Sequence, residues 1–392
     1  MTNAELMQLT QDHVMHTYGR YPVCIERGEG AKFYDFEGKE YIDFSSGIGV
    51  NALGTGNEAW VKAVTEQAGK LAHTSNLFYT EPGAKLAQQL TTRTGMKYAF
   101  FSNSGAESNE GIIKLARKYS YDKYGEGRAT IITLEQSFHG RTVTTLKATG
   151  QDVFHQYFFP FTEGFRYAKA NDIASVESVA GDDVCAVMVE LIQGEGGVLP
   201  LEPEFVYALK TLCDKNDWLL LVDEVQTGVG RTGSLFAFQQ YGILPDAVSF
   251  AKGIGGGLPL GGFMASDKVK DVLGGGTHAT TFGANPICCA AALAVLAQID
   301  DALLASVREK AAYIESVILG WHLPIVQGVR GKGLMIGIAV DGDNKALAAK
   351  CIEKGLLIIT AGPVLRMLPP LTISYEEIDA GLAILKSVLE AE

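Results

Sequence analysis

Two neighbouring carboxylates, Asp223 and Glu224, close the apolar run "WLLLVDEV" just before the chain breaks into "QTGVGRTG". A short apolar run bounded by turn residues reads as a strand buried on both faces. Charge at the end of such a strand must be paired, because an isolated buried carboxylate costs several kcal/mol. A cation is therefore expected beside it. The run "SFAKGIGGG" ends another short apolar strand on Lys252, 252 − 223 = 29 residues later, with glycines behind it. A lysine there is ordinarily a solvated tip, but one held in a pocket can lose its proton and attack a carbonyl. One strand-to-strand repeat separates the two residues, so both side chains can reach one pocket.

A third loop, "FFSNSGAESNE", places Ser102, Ser104, Gly105 and Ala106 between a strand and a helix. Amides at a helix N-terminus, with hydroxyls and a glycine that permits close approach, bind phosphate well. Taken alone, the loop is more simply an N-cap made by Ser104 or Asn103, with Glu107 supporting the first turn. Together the three loops meet three requirements of one cofactor, pyridoxal phosphate. Residues 104–106 would take the phosphate, Asp223 the protonated ring nitrogen, and Lys252 the aldehyde as a Schiff base. A fourth loop, "EQSFHGRT", adds Phe138, His139 and Arg141. Phe138 reads as core or as a stacking ring, and His139 as a structural hydrogen-bonding residue. Arg141 matches a substrate carboxylate in bidentate geometry, with a surface salt bridge as the bland alternative. "GVGRTG" (228–233) fits G-x-G-x-x-G, but no amphipathic helix opens on its third glycine and no acidic strand end follows about twenty residues later. A turn is the better reading than a dinucleotide site.

The elements that must carry these loops alternate from about residue 60 to 266. Strand-like "MKYAFFSN", "ATIITLEQSF", "VCAVMVELI", "WLLLVDEV" and "DAVSFAK" are interleaved with helix-like "NEGIIKLARKYSYDKYG" and "PEFVYALKTLCDKN". This predicts an α/β fold with a mostly parallel central sheet and helices on both faces, ligands collecting beyond the carboxyl ends of the strands. The remainder, with the long helix "LLASVREKAAYIESVILG" and the runs "GLMIGIAV", "GLLIIT" and "VLRMLPPLTIS", predicts a smaller α+β domain. The expected division is residues 1–55 as an N-terminal segment packed with the small domain, 56–297 as the large domain and 298–392 as the small one. "AKFYDFEGKEYIDF" reads as a strand pair joined by a glycine turn. A formal net charge of −12 over 392 residues, with no basic patch, argues against nucleic acid and acidic membranes. The longest apolar run, "ICCAAALAVLA", is too short to span a bilayer, and six cysteines without a C-x-x-C pair suggest reduced core thiols and no metal site. The expected location is cytoplasmic.

These residues resemble the class III (ornithine-type) aminotransferases of the fold type I pyridoxal-phosphate enzymes. The resemblance runs from "YGRYPVCIERGEGAKFYDFEGKEYIDFSSGIGVNALG" through "LVDEVQTGVGRTG" and "AKGIGGGLPLGG" to "TTFGANPICCAAA" and "LRMLPPLTIS". "LAHTSNLFYTEP" is similar in particular to the acetylornithine branch. The resemblance implies a homodimer that transfers the δ-amino group of N-acetylornithine to 2-oxoglutarate. Succinylornithine, N-succinyl-diaminopimelate, ornithine or 4-aminobutyrate are the alternative donors, and a nicotinamide dehydrogenase or a non-catalytic homologue are the readings outside the class. It implies Lys252 as Schiff-base lysine and proton shuttle, Asp223 as ring-nitrogen partner and Gln226 on the ring hydroxyl. Phe138 and Val225 would sandwich the ring, and Ser104, Gly105 and Ala106 would hold the phosphate, with Thr281 reaching it from the other subunit. Arg141, with Tyr18, would take the donor's α-carboxylate. Arg366 would bind the carboxylate of glutamate or 2-oxoglutarate, and Glu195 would cover Arg366 while the δ-amino substrate is bound. One segment departs from the family pattern: "LGTGNEAW" has Thr55 and Asn57 where many relatives carry histidines, which puts entrance packing and substrate preference in question.

Overall fold

Seven strands form the large sheet: β1 (Tyr98–Ser102), β2 (Thr130–Leu134), β3 (Phe165–Ala168), β4 (Val184–Val189), β5 (Leu219–Asp223), β6 (Ala247–Phe250) and β7 (Gly261–Ala265). The structure, a computed structural model, describes residues 1–392. The strand order is β1-β7-β6-β5-β4-β2-β3. Only β7 runs against its neighbours, so six strands point their carboxyl ends the same way. Two of the seven, β3 and β7, are not among the runs singled out in the sequence. β7 escapes notice because "GGFMA" opens with two glycines, which carry no strand propensity. Gly262 is required there, since a Cβ would lie 2.3 Å from the Phe100 carbonyl oxygen of β1.

The expected helical layers lie on both faces, and the pleat of β5 distributes its side chains between them. Leu219 and Leu221 pack with Ile112, Ile113 and Ala116 of helix Gly105–Tyr124. Leu220 and Val222 pack on the opposite face with Phe205 and Leu209 of helix Pro203–Asn216, and with Cys289 and Ala292 of helix Pro286–Gln298. This period of two explains why the run is apolar throughout. No α-helix connects β5 to β6; only a 3₁₀ turn, Ala237–Tyr241, stands between them. The glycine-rich "GVGRTG" is a series of turns with no helix following it, which removes the dinucleotide-site reading. Its Arg231 is buried, and Nη1 donates to the carbonyls of Leu334 (3.0 Å) and Pro369 (2.5 Å), fastening this loop to the C-terminal part of the chain.

A second hydrophobic core joins the N-terminal and C-terminal segments, with Ala31, Ile42 and Phe44 packed among Ile314, Ile338, Leu365 and Leu382. The expected strand pair Lys32–Asp35 and Glu40–Asp43 turns at Gly38 (φ 86°) and is preceded by a further antiparallel strand, Ile25–Glu29. "GLLIIT" divides between two sheets: Leu356–Leu357 pairs in parallel with Glu40–Asp43, and Ile359–Ala361 pairs with Val364–Met367. No single helix is long and apolar enough to cross a membrane.

The alternation along β5 also separates the two carboxylates that close it. Asp223 continues the face of Leu219 and Leu221, whereas Glu224 turns to the other side and is fully buried. Its oxygens accept from Thr227 Oγ1 (2.6 Å), the Ala237 amide (2.9 Å) and the Phe238 amide (2.7 Å), pinning the 3₁₀ turn. Burial outweighs these donors and pushes its carboxyl up to about 7. A raised carboxyl pKa in the folded state adds stability below the ordinary value, and that contribution is lost as pH rises to about 7. Relative to Glu224→Gln, the native chain should therefore lose roughly 3 kcal/mol between the two pKa values, at about 1.4 kcal/mol per unit. Urea unfolding of both proteins across that pH window checks this, and parallel pH profiles would contradict it.

Candidate active site

The carboxyl ends of β1, β2, β4, β5 and β6 open into one cavity of about 590 Å³. Asp223 is at its floor, and three donors fix its carboxylate. Oδ2 accepts from Asn109 Nδ2 (2.7 Å) and pairs with His139 Nδ1 (2.8 Å); Oδ1 accepts from the Val225 amide (3.0 Å), with Ser249 Oγ 3.5 Å away. Ser249 is the register partner of Asp223 on β6 and also donates to Asn109 Oδ1 at 2.6 Å, so the group is locked across two strands and a helix. His139 is thus the structural hydrogen-bonding residue expected from the sequence, and the acid it holds is Asp223. Asn109 and Ser249 were not expected. The legible signal for Asn109 is its position one helical turn from Ile112 and Ile113, on the buried face of the helix, where an amide side chain needs a partner.

Lys252 follows β6 directly, with φ at +47°, a left-handed conformation that costs a non-glycine residue free energy. The amine keeps some contact with the cavity but is enclosed enough that desolvation lowers its pKa, against the opposing pull of Glu195. Ser104, Gly105 and Ala106 lie at the N-terminus of the 20-residue helix Gly105–Tyr124. Ser104 caps this helix by accepting from the Glu107 amide at 3.2 Å, so the simple cap reading holds too. The Gly105 and Ala106 amides, in the first two helical positions, have no carbonyl behind them to bond and remain free for an anion. A Cβ on Gly105 would lie 2.7 Å from the Val225 side chain, so glycine leaves room between the anion site and that wall. Phe138 and Val225 both line the cavity. An anion cradle, an apolar pair, a fixed carboxylate and a desolvated amine fit pyridoxal phosphate group by group.

Arg366 reaches the same place from strand Val364–Met367 in the C-terminal part of the chain. It is only 2% exposed, and Nη1 donates to Glu195 Oε1 (2.6 Å) and Gln226 Oε1 (3.2 Å), while Nε has no partner. Burial pushes the Glu195 carboxyl up, but the Arg366 guanidinium prevails and holds it below the usual carboxylate range. Gln226, expected on the cofactor's ring hydroxyl, here turns its carbonyl oxygen to Arg366. Arg141 and Tyr18 stand exposed on the rim. Arg141 rests on aromatic rings and not on a carboxylate, so the salt-bridge alternative is not realised.

Two expected site residues are not part of the cavity lining: Arg366, which meets it through Glu195 and Gln226, and Thr281. Thr281 is exposed, beside Thr280, whose hydroxyl accepts from Asn103 Nδ2 at 3.1 Å. Glu190 is a buried wall residue absent from the sequence-based set. Its oxygens accept the Phe138 amide (2.9 Å) and the Gly194 amide (3.2 Å), and burial raises its pKa. Asn57, in the departing segment, caps helix Glu58–Lys70 and exchanges amide hydrogen bonds with Gln298 at 2.9 and 3.0 Å. It therefore supports packing away from the cavity lining.

Comparison with known proteins agrees with this geometry. The family model described as "Aminotransferase class-III" matches residues 14–389. The chain is 49% identical over 392 residues to the acetylornithine aminotransferase of Haemophilus ducreyi, covering 99% of each chain. It is 47% identical to that of Caldanaerobacter subterraneus, covering 96% of this chain and 97% of the relative. Among solved structures it is similar to N-acetylornithine aminotransferase from Stenotrophomonas maltophilia (TM-score 0.84, 36% identity, 98% of each chain). It is also similar to ornithine aminotransferase from Toxoplasma gondii ME49 (TM-score 0.95, 30% identity, 100% of this chain and 96% of that one). With its sheet-end cavity and a family match over almost its whole length, the chain belongs to the class III aminotransferases.

Proposed function

We propose that this enzyme moves the δ-amino group of N-acetylornithine to 2-oxoglutarate, giving N-acetylglutamate 5-semialdehyde and glutamate. The observation that carries this reading is the presence of two unlike arginines at one lysine: Arg366, buried and covered by Glu195, and Arg141, exposed and uncovered. Pyridoxal phosphate, when bound, supplies an aldehyde for linkage to amines and a ring that accepts an electron pair from the substrate carbon. Asp223 would keep a proton on the ring nitrogen, which maintains that electron demand. Lys252 Nζ would hold the aldehyde between turnovers and is the base placed to move the proton at the substrate carbon. Its lowered pKa leaves more of the amine unprotonated and able to attack.

Substrate exchange is assigned to charge. With Glu195 on Arg366 that side of the pocket is neutralised, and the donor binds through its α-carboxylate at Arg141, far from its reacting δ-amine. When Glu195 swings off, the Arg366 guanidinium is free for the carboxylate of 2-oxoglutarate. Thr281 serves the phosphate site of the partner subunit in a homodimer that works in the cytoplasm. Supporting the dimer, Leu77 is 87% exposed, Phe78 66% and Phe282 60%, and the Asn76 amide holds their two segments together through the Gly283 carbonyl. A patch of this kind is characteristic of a subunit interface.

The deciding experiment is a donor panel with 2-oxoglutarate as acceptor. We expect the highest kcat/KM with N-acetylornithine, and a preference for succinylornithine, ornithine or 4-aminobutyrate would reassign the substrate. Borohydride reduction should leave a pyridoxyl group on Lys252 in peptide maps; recovery of the label elsewhere would remove the assigned lysine. Glu195→Gln should impair the two half-reactions unequally, by about tenfold or more in one, which corresponds to 1.4 kcal/mol of binding discrimination. Equal losses in single-turnover measurements of both would argue against the movable counter-charge.

A further inference from the structure

We propose that Phe154 is a positioning residue for donor recognition, holding the Arg141 guanidinium ready for the α-carboxylate; this rests on the function proposed above. The Arg141 Cζ lies 4.2 Å from the centre of the Phe154 ring and 5.6 Å from that of Phe138. The two rings meet edge to face, 6.0 Å apart at 74°. An exposed arginine has considerable rotamer entropy to lose when it binds a ligand. Contact with a ring reduces that freedom beforehand, and it does so without using any N–H donor. All five therefore remain for a carboxylate, which a protein salt bridge would have occupied.

Phe154 can act in this way because its own position is fixed. It ends the 3₁₀ turn Asp152–Phe154, with its amide on the Gln151 carbonyl at 3.0 Å. The Gln151 side chain donates to the Ser137 carbonyl (2.9 Å), and the Gly150 amide donates to Ser137 Oγ (3.0 Å). The next residue, His155, bonds through Nε2 to the Leu146 carbonyl at 3.0 Å. The turn is thereby fastened both to the loop that carries Phe138 and Arg141 and to the helix that follows it. Arg366 has no such ring contact and is held by Glu195 and Gln226. Loss of the Phe154 ring should therefore affect donor binding and leave acceptor binding nearly unchanged.

The test measures kcat/KM for each substrate separately, together with the absorbance spectrum of the bound cofactor, in Phe154→Leu, Phe154→Tyr, Arg141→Gln and the Phe154→Leu/Arg141→Gln double variant. Expected are a fall of about 3- to 20-fold for N-acetylornithine in Phe154→Leu, less than about twofold for 2-oxoglutarate, an unchanged spectrum, and recovery in Phe154→Tyr. In the Arg141→Gln background the Phe154 substitution should cost little more. Equal losses for both substrates, an altered spectrum or strictly additive effects would overturn the proposal and make Phe154 a packing residue only. Should Arg141→Gln by itself leave the donor kcat/KM intact, the assignment of Arg141 fails first, and the role of Phe154 with it.

Discussion

A carboxylate held in place at the end of a buried strand is the constraint on which the site depends. Asp223 sits where the apolar sheet meets the cavity, and Asn109, His139, Ser249 and the Val225 amide give it defined directions. These contacts come from a helix, two loops and a neighbouring strand. Any shift of helix Gly105–Tyr124 against β5 and β6 would therefore move the acid, and the same helix presents the free amides of Gly105 and Ala106 at its start. One rigid unit sets the distance between the acid and those amides, an arrangement in which precise positioning comes from packing and not from the reacting groups themselves.

Electrostatic roles are divided along the same strand. Adjacent in sequence, Asp223 and Glu224 face opposite sides of the sheet, one toward chemistry and the other toward a turn that replaces the missing crossover helix. The cation anticipated beside Asp223 is the one proposed for the ring nitrogen of the cofactor, while Glu224 is satisfied by amides and a hydroxyl and has no need of one. Glu195 offers a third solution. Its partner Arg366 keeps it below the usual carboxylate range although it is largely buried, so this pair is stable only as a pair. Separating the two requires another anion at the guanidinium, the role proposed for the acceptor carboxylate.

Much of this was legible in the sequence for a physical reason: loops at strand ends carry polar residues whose types are restricted by what they must bind. Lys252, Asp223, Gly105 and Arg141 could be placed together because short buried strands fix where such loops emerge. What could not be read was the support behind them. Asn109 and Ser249 lie inside a helix and a strand, where a single polar residue looks like tolerated variation, and Glu190 stands inside an apolar run. Strand β7 was hidden by its glycines, and the pairing of Leu356–Leu357 with Glu40–Asp43 joins residues more than three hundred positions apart. Likewise, no local pattern reveals that Phe154 lies against Arg141, since the turn that brings it there is held by side chain–backbone bonds.

The origin of Arg366 has a consequence for how such an enzyme can be modified. Asp223, Asn109, His139 and Lys252 are carried by the large sheet and by the helix and loops at its strand ends, whereas this guanidinium is delivered by a strand whose hydrogen-bonded neighbours are Met335–Val340 and Ile359–Ala361, in the C-terminal part of the chain. Arg231 is one of several buried links between the two parts, beside the apolar cluster of Ile192 and Val198 with Met335 and Val364. With Arg366 assigned to the oxo acid and Arg141 to the amine donor as proposed, repacking beneath the C-terminal strands would retune the first while the second keeps its own scaffold, which would make the two specificities separable by engineering.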